Sequence, residues 1–319
     1  MSVPQKLTEV LIDERAWTAE SINDPASWRC TLSEACLAEL DAFVRELKGN
    51  LRSITEVRIE DTQLPACRET LQPVSQAIHL GRGFSVVDRV LLERYSVEEA
   101  QTIYWLVGQV LGLPFEQDVR GALLYDVRDT GQDVSRGARF SVTNAESSFH
   151  TDGAFNPHTP DIVGLLCLQT AKSGGRNQLI SAVTLHNELL QHHPDVLEML
   201  YRSFYFDRRG QFREGEQPVS ETPIFRWDGQ EVVFKYMYYY IHVGHEAMHR
   251  PLMPEQEKAL EALESLIRRE DLQVEFSLQP GQMLFTNNRW ILHNRTAFED
   301  YAELEKRRHY VRLWLSRRN

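Results

Sequence analysis

The chain has 319 residues, of which 42% are hydrophobic, 25% charged and 10% aromatic, enough apolar surface for one large folded domain or two ordinary ones. Its formal net charge is −11, from 35 Lys and Arg against 46 Asp and Glu, which argues against nucleic acid as a partner. No apolar run approaches the roughly 18 residues of a membrane helix, the first residues lack a secretory signal pattern, and Cys30, Cys36, Cys67 and Cys167 form no CxxC, so the expectation is a cytoplasmic protein with reduced thiols and no membrane partner.

In chain order, a helix is expected from Thr31, with Glu34 completing a capping box and Leu37, Leu40, Val44 and Leu47 on its apolar face. A stretch reading as strand follows at Phe84–Val87. Ser96 and Glu99 form a second capping box, and Ile103, Leu106, Val107, Val110 and Leu111 continue at helical spacing until Gly112 and Pro114. Short strand-like runs then come at Ala122–Val127, Phe140–Thr143 and Ile162–Leu168. Helices are expected over about 183–192 and 254–269. Between and after them lie strand-like runs at Tyr205–Asp207, Pro223–Trp227, Val232–Tyr236, Val274–Leu278, Met283–Thr286 and Tyr310–Leu315. The run Lys235–Ile241 also reads as strand. Many short strands with Gly, Pro and Asp punctuation predict a sandwich, jelly roll or barrel and not a Rossmann-type sheet. There is no GxGxxG, Walker A or GxSxG motif.

Eleven histidines are present, and three have an acid two residues later, at His150/Asp152, His186/Glu188 and His193/Asp195. About two such pairs arise by chance in a chain of this composition, so secondary structure must decide among them. Residues i and i+2 share a face on a strand but lie roughly 200° apart on a helix. His186 and Glu188 sit in a helical pattern, and Pro194 reads as a helix start beside Asp195. Only His150 and Asp152 follow a strand-like run, RFSVT, and precede a small-residue exit, Gly153-Ala154. The rival is His245-Glu246-Ala247-Met248-His249, which fits HExxH of zinc peptidases. Gly244 before it and Pro251 after it limit any helix there, and a His-rich loop is the expectation.

A face of two histidines and one carboxylate needs a second, distant histidine, and such a triad holds iron(II) with positions left open. His293, beyond Met283–Thr286 and the turn residues Asn287 and Asn288, is the candidate. Downstream, one strand carries Arg308, Tyr310, Arg312 and Trp314 on one face and Val311, Leu313 and Leu315 on the other. Two inward arginines each need an anion, and a guanidinium fork suits a carboxylate.

At this point the chain resembles the taurine dioxygenase-like branch of iron(II)/2-oxoglutarate oxygenases, from about Gly83 to Leu315. The resemblance rests on His150-Thr151-Asp152, the distal His293 and the Arg308/Arg312 pair. It extends to Thr143-Asn144-Ala145-Glu146, Ser173-Gly174-Gly175, Arg295-Thr296-Ala297-Phe298 and the closing segment 308–315. It implies a mainly β fold with flanking helices and a double-stranded β-helix, or jelly-roll, core. The domain plan is a single oxygenase domain with a helical extension at about 1–80. Its core runs over about 83–316, with helical insertions near 183–200 and 254–270. By the same resemblance His150, Asp152 and His293 ligate Fe(II), Arg308 and Asn177 hold 2-oxoglutarate, and O₂ is the oxidant. Arg312 meets an acidic group of the substrate, and Asn144 and Tyr236 are further substrate-binding candidates. Asp152 at the carboxylate position favours hydroxylation over halogenation. The implied reaction is C–H hydroxylation of a small, carboxylate-bearing amino acid or specialised metabolite, with release of succinate and CO₂. The alternatives are a zinc peptidase built on His245, Glu246 and His249, and a non-catalytic jelly-roll binding protein. Whether the chain forms a homo-oligomer is left open.

Overall fold

The structure is a computed structural model that describes residues 6–48, 53–60, 62–131 and 142–318. Seven strands build the larger sheet: β1 (Arg29–Thr31), β2 (Phe84–Asp88), β3 (Leu113–Phe115), β4 (Leu124–Val127), β5 (Ile162–Gln169), β13 (Met283–Asn287) and β16 (His309–Ser316). Their order is β1-β2-β13-β5-β16-β3, with β4 also on β16. A three-stranded sheet orders β12 (Val274–Phe276), β7 (Asn177–Ser181) and β14 (Ile291–Arg295), with β7 central. Three two-stranded pairs complete the β structure of the described residues. They are β6 (Ser173–Gly174) with β15 (Phe298–Glu299), β8 (Ser203–Asp207) with β9 (Val219–Pro223), and β10 (Phe225–Trp227) with β11 (Val232–Phe234). The larger and three-stranded sheets share no strand and close no barrel among the described residues.

Among the described residues seven α-helices flank them: α1 (Glu34–Leu47), α2 (Pro65–His79), α3 (Val97–Leu111), α4 (Ala182–His192), α5 (Pro194–Leu200), α6 (Tyr238–Ala247) and α7 (Pro254–Ile267). The Ser96/Glu99 capping box is present at α3. At α1 the cap is Ser33, whose oxygen accepts from Cys36 N, because Thr31 is taken up by β1. The helix α2 escaped the sequence reading. Pro73 lies inside it and masks its apolar stripe of Cys67, Leu71, Val74 and Ile78. Cys36 on α1 and Cys67 on α2 are joined as a disulfide with Cα atoms 4.4 Å apart, which corrects the expectation of four reduced thiols. Half of the expected strand at Phe140–Thr143 lies outside the described residues, and 142–143 belong to no strand.

The largest departure is α6, whose first residues, 238–241, the sequence reads as strand and whose last residues it reads as a His-rich loop. Tyrosines at 238–240 favour strands in isolation, but tertiary packing overrides that preference. Gly244 does not break this helix; it lets α6 lie against β8. A Cβ there would come within 2.4 Å of the Tyr205 carbonyl oxygen.

Two apolar cores divide the molecule. One packs α1, α2 and α3 against a face of the larger sheet through residues such as Leu40, Leu71, Ile103, Phe285 and Leu313. The other joins the opposite face to the three-stranded sheet, α4, α5 and α7 through Phe84, Leu284, Ile180, Leu292, Leu197 and Leu263. On β16, Val311, Leu313 and Leu315 enter the first core and Tyr310 the second, as the alternation predicted.

Candidate metal centre and co-substrate pocket

The two histidines are brought together by backbone pairing. His150 N donates to His293 O and His293 N donates to His150 O, each at 3.0 Å, so an isolated bridge ties the loop before Asp152 to β14. His150 also bridges Met237. The loop is held further at Thr151, whose N donates to Tyr236 O at 3.0 Å. Asn288 Oδ1 accepts from Asp152 N at 2.7 Å, while its Nδ2 donates to Asp152 O and Pro160 O. Asn288 thereby fixes the metal-facing turn from a buried position, a role that no spacing in the sequence announced.

The imidazole Nε2 atoms of His150 and His293 lie 3.6 and 3.8 Å from Asp152 Oδ1, and one ligand atom from each of the three residues falls within 4.8 Å of the others. This is the group of metal-ligating side chains found among the described residues. His150 Nδ1 contacts Ser148 O at 2.8 Å, which leaves Nε2 with its lone pair facing the site. Burial pushes the Asp152 carboxyl up, but the Arg312 guanidinium and both imidazoles outweigh it and hold the carboxyl well below the usual range. Burial, aided by His150, pushes the His293 imidazole down to about 3 against the pull of Asp152. An ionised carboxylate beside a neutral imidazole is the protonation state that a divalent cation requires, so the donor set fits Fe(II).

Asp152 accepts on both oxygens: Arg312 Nη1 donates to Oδ1 at 3.1 Å and Trp314 Nε1 to Oδ2 at 2.8 Å, with lone pairs left for a metal ion. Arg312 Nε donates to Gln117 Oε1 at 2.8 Å. The anion that the sequence demanded for Arg312 is therefore Asp152 in the first place, and Trp314 joins it as a residue whose role the sequence did not disclose.

A cavity between the two sheets is lined by the triad, Asn177, Leu179, Leu284, Thr286, Arg308, Arg312 and Trp314. Arg308 is 2% exposed and stacks on Tyr310, with its guanidinium carbon 3.8 Å from the ring centroid. Its Nε and Nη1 have no hydrogen-bond partner, and neither has the buried Asn177 Nδ2 in the same cavity. A buried guanidinium without an acid is expensive, so these donors fit an incoming carboxylate. Gly175 permits the arrangement: its φ is +66°, and a Cβ there would lie 3.3 Å from Arg308 Nε.

Two substrate candidates are corrected. Tyr236 is fully buried, outside the cavity, with its hydroxyl donating to Glu264 Oε1 at 2.7 Å. Asn144 is exposed and lines a separate surface depression. The HExxH segment forms no metal site. His245 Nδ1 contacts Arg250 O, its Nε2 accepts from Tyr205 N, and His249 lies beyond the helix end, exposed and at φ +51°.

Comparison with known proteins agrees with this geometry. The family model described as taurine catabolism dioxygenase TauD, TfdA family matches residues 44–314. The FR-33289 synthase of Streptomyces rubellomurinus is 29% identical over 95% of this chain and 89% of its own. A crystal structure of asparagine oxygenase with Fe(II), 2S,3S-3-hydroxyasparagine and succinate superposes with a TM-score of 0.66 at 17% identity, covering 91% of this chain and 94% of that one. The non-haem iron oxygenase OrfP with Fe and alpha-ketoglutaric acid gives 0.65 at 16% identity, covering 90% and 93%.

Proposed function

Because the chain belongs to the TauD/TfdA dioxygenase family and is an iron(II)- and 2-oxoglutarate-dependent dioxygenase, we propose that it hydroxylates a small, acid-bearing molecule such as an amino acid or specialised metabolite. In this reading its two main sheets form a double-stranded β-helix within one domain spanning the chain, with residues 1–80 as an N-terminal extension. The observation that carries the reading is the cavity in which a His-Asp-His face and the unpaired buried donors of Arg308 open onto the same space.

His150, Asp152 and His293 hold Fe(II). Arg308, assisted by the Asn177 amide, takes the distal carboxylate of 2-oxoglutarate. Bound iron supplies O₂ activation coupled to oxidative decarboxylation of 2-oxoglutarate to succinate and CO₂. Around it the chain does the positioning. Arg312 and Trp314 keep the Asp152 carboxylate ionised and oriented, and the apolar walls at Val163, Leu165, Leu179 and Leu284 exclude water. Arg312 Nη2 remains for an acidic group of the substrate. The hydroxyasparagine in the asparagine oxygenase complex supports an amino-acid-like substrate. A cytoplasmic location is part of the proposal, supported by the need for a supply of 2-oxoglutarate. The zinc-peptidase alternative is disfavoured because His245 uses both ring nitrogens inside the protein, and the binding-protein alternative because no triad position is missing.

The test is succinate formation from 2-oxoglutarate across a panel of amino acids and metabolites, with product mass measured for each. A gain of one oxygen atom in a product, absent with His293→Ala, is the expected result. Full turnover by His293→Ala would overturn the assignment of the triad.

A further inference from the structure

Four guanidinium groups, of Arg209, Arg295, Arg308 and Arg312, line the cavity with a single carboxylate, that of Asp152, among the described residues of a chain with net charge −11. Asp152 answers Arg312 and 2-oxoglutarate is assigned to Arg308, while the guanidinium of Arg209 has no carboxylate within hydrogen-bond reach. A cation so placed in a partly desolvated space favours an anionic guest.

Arg209 is the cation of this set with the fewest commitments. Arg308 is assigned to 2-oxoglutarate, Arg312 to Asp152 and Gln117, and Arg295 donates to Ala145 O and lies over Phe298. Arg209 follows β8, and its side chain is 20% exposed, so it stands where the cavity meets solvent. Its backbone is left-handed, φ +49°, followed by Gly210 at +73°, a conformation uncommon for a residue with a side chain. Asp207 Oδ1 fixes that turn by accepting from Arg209 N at 2.8 Å. The guanidinium carbon lies 5.5 Å from the ring centroids of both Tyr239 and Tyr240 at the start of α6. Its nearest carboxylate is Asp207, 3.8 Å from Nε and beyond hydrogen-bond reach. No hydrogen bond from the guanidinium occurs among the described residues.

We propose that Arg209 is a specificity-determining residue that receives a second acidic group of the substrate at the cavity entrance. The primary substrate is then a molecule with acids at both ends, one facing Arg312 and the other facing Arg209. Two tyrosine rings hold the planar fork at a fixed angle, so an acid is met bidentately without first ordering a free side chain. This deepens the dioxygenase reading of the same site and rests on it.

The test needs no knowledge of the substrate. Enzyme loaded anaerobically with Fe(II) and saturating 2-oxoglutarate is titrated with linear α,ω-disulfonates of two to six carbons and with the matching monosulfonates. The metal-to-ligand charge-transfer band and the melting temperature are both read. The wild type should bind at least one disulfonate ten times or more tighter than its monosulfonate partner. Arg209→Ala should abolish that preference, and Arg209→Lys should restore part of it. A wild type without the preference, or a preference that survives in Arg209→Ala, overturns the proposal alone. Absence of the charge-transfer band in the wild type overturns the reading of the site and this proposal with it.

Discussion

Arg308 and Arg312 are four residues apart at the last strand, yet their surroundings ask different things of them. Arg308 has unpaired donors in the cavity, whereas Arg312 is already bonded to a metal ligand. Losing a charge-assisted pair in a desolvated pocket weakens binding by roughly 2–5 kcal/mol, or about 30- to several-thousand-fold. Arg308→Ala should therefore raise the dissociation constant of 2-oxoglutarate by that factor, read from the charge-transfer band of the Fe(II)-loaded variant. Arg312→Ala should leave 2-oxoglutarate binding far less affected and instead weaken Fe(II) by about 10- to 100-fold, the usual penalty for removing a partner of a metal ligand. Iron titration against a chromogenic chelator measures the second effect, and equal losses of both ligands in both variants would refute the division. The triad and this arginine pair were legible in the sequence because strand parity and order along the chain constrain them. Asn288 and Arg209 were not, since each sits alone at a turn with no spacing to mark it; the strand pattern put Trp314 on the face of the two arginines but did not announce its bond to Asp152. Tyr236 and Asn144 misled because an aromatic run and a fragment of motif say nothing about which way a side chain faces.

The aromatic segment after β11 shows how an element can be misassigned and still matter to the site. Its tyrosines fit strand statistics, but α6 supplies Tyr240 to the cavity wall, beside its N-cap residue Met237, and lies close to β8 in doing so. Gly244→Ala should force the two apart, because the new methyl would sit 2.4 Å from Tyr205 O. Overpacking of this kind destabilises by about 1–3 kcal/mol, a fall in Tm of roughly 2–6 °C in a chain of this size. An unchanged Tm would mean that α6 can move without penalty. Lys235, between β11 and α6, is a second probe. Burial, helped by the charge of Arg226, pushes its ammonium down to about 8, with Asn156 O accepting its hydrogen bond at 2.9 Å. The unfolded chain holds that proton more tightly, so this group makes stability rise with pH between about 8 and 10.5, and its full burial penalty acts below 8. Lys235→Met should raise Tm at pH 7 and flatten the rise above pH 8 in melts recorded across that window. An unaltered pH slope would show that the ammonium is not desolvated.

At the scale of the whole molecule, the N-terminal residues are part of the frame. β1 pairs in parallel with β2, and α1 and α2 form the crossover between them, covering one face of the larger sheet with α3. Removal of residues 1–80 should therefore expose the face of α3 that carries Trp105, whose Nε1 donates to Val57 O, and yield insoluble protein. The full chain should unfold in one calorimetric transition, and a soluble, active truncation would contradict this. The sheet-rich architecture could be read from short punctuated runs, but the pairing order could not, because register depends on partners distant in the chain. One consequence of that distant pairing concerns iron economy. The reciprocal backbone bonds between His150 and His293, with Asn288 clamping Asp152, hold the three ligands in place through contacts that do not involve an ion. Iron is thus a tenant of this protein and not its keystone. Chelation should leave a folded chain ready to be refilled, so in a cell short of iron the protein pool would stand idle instead of being degraded, and its output would follow the iron supply.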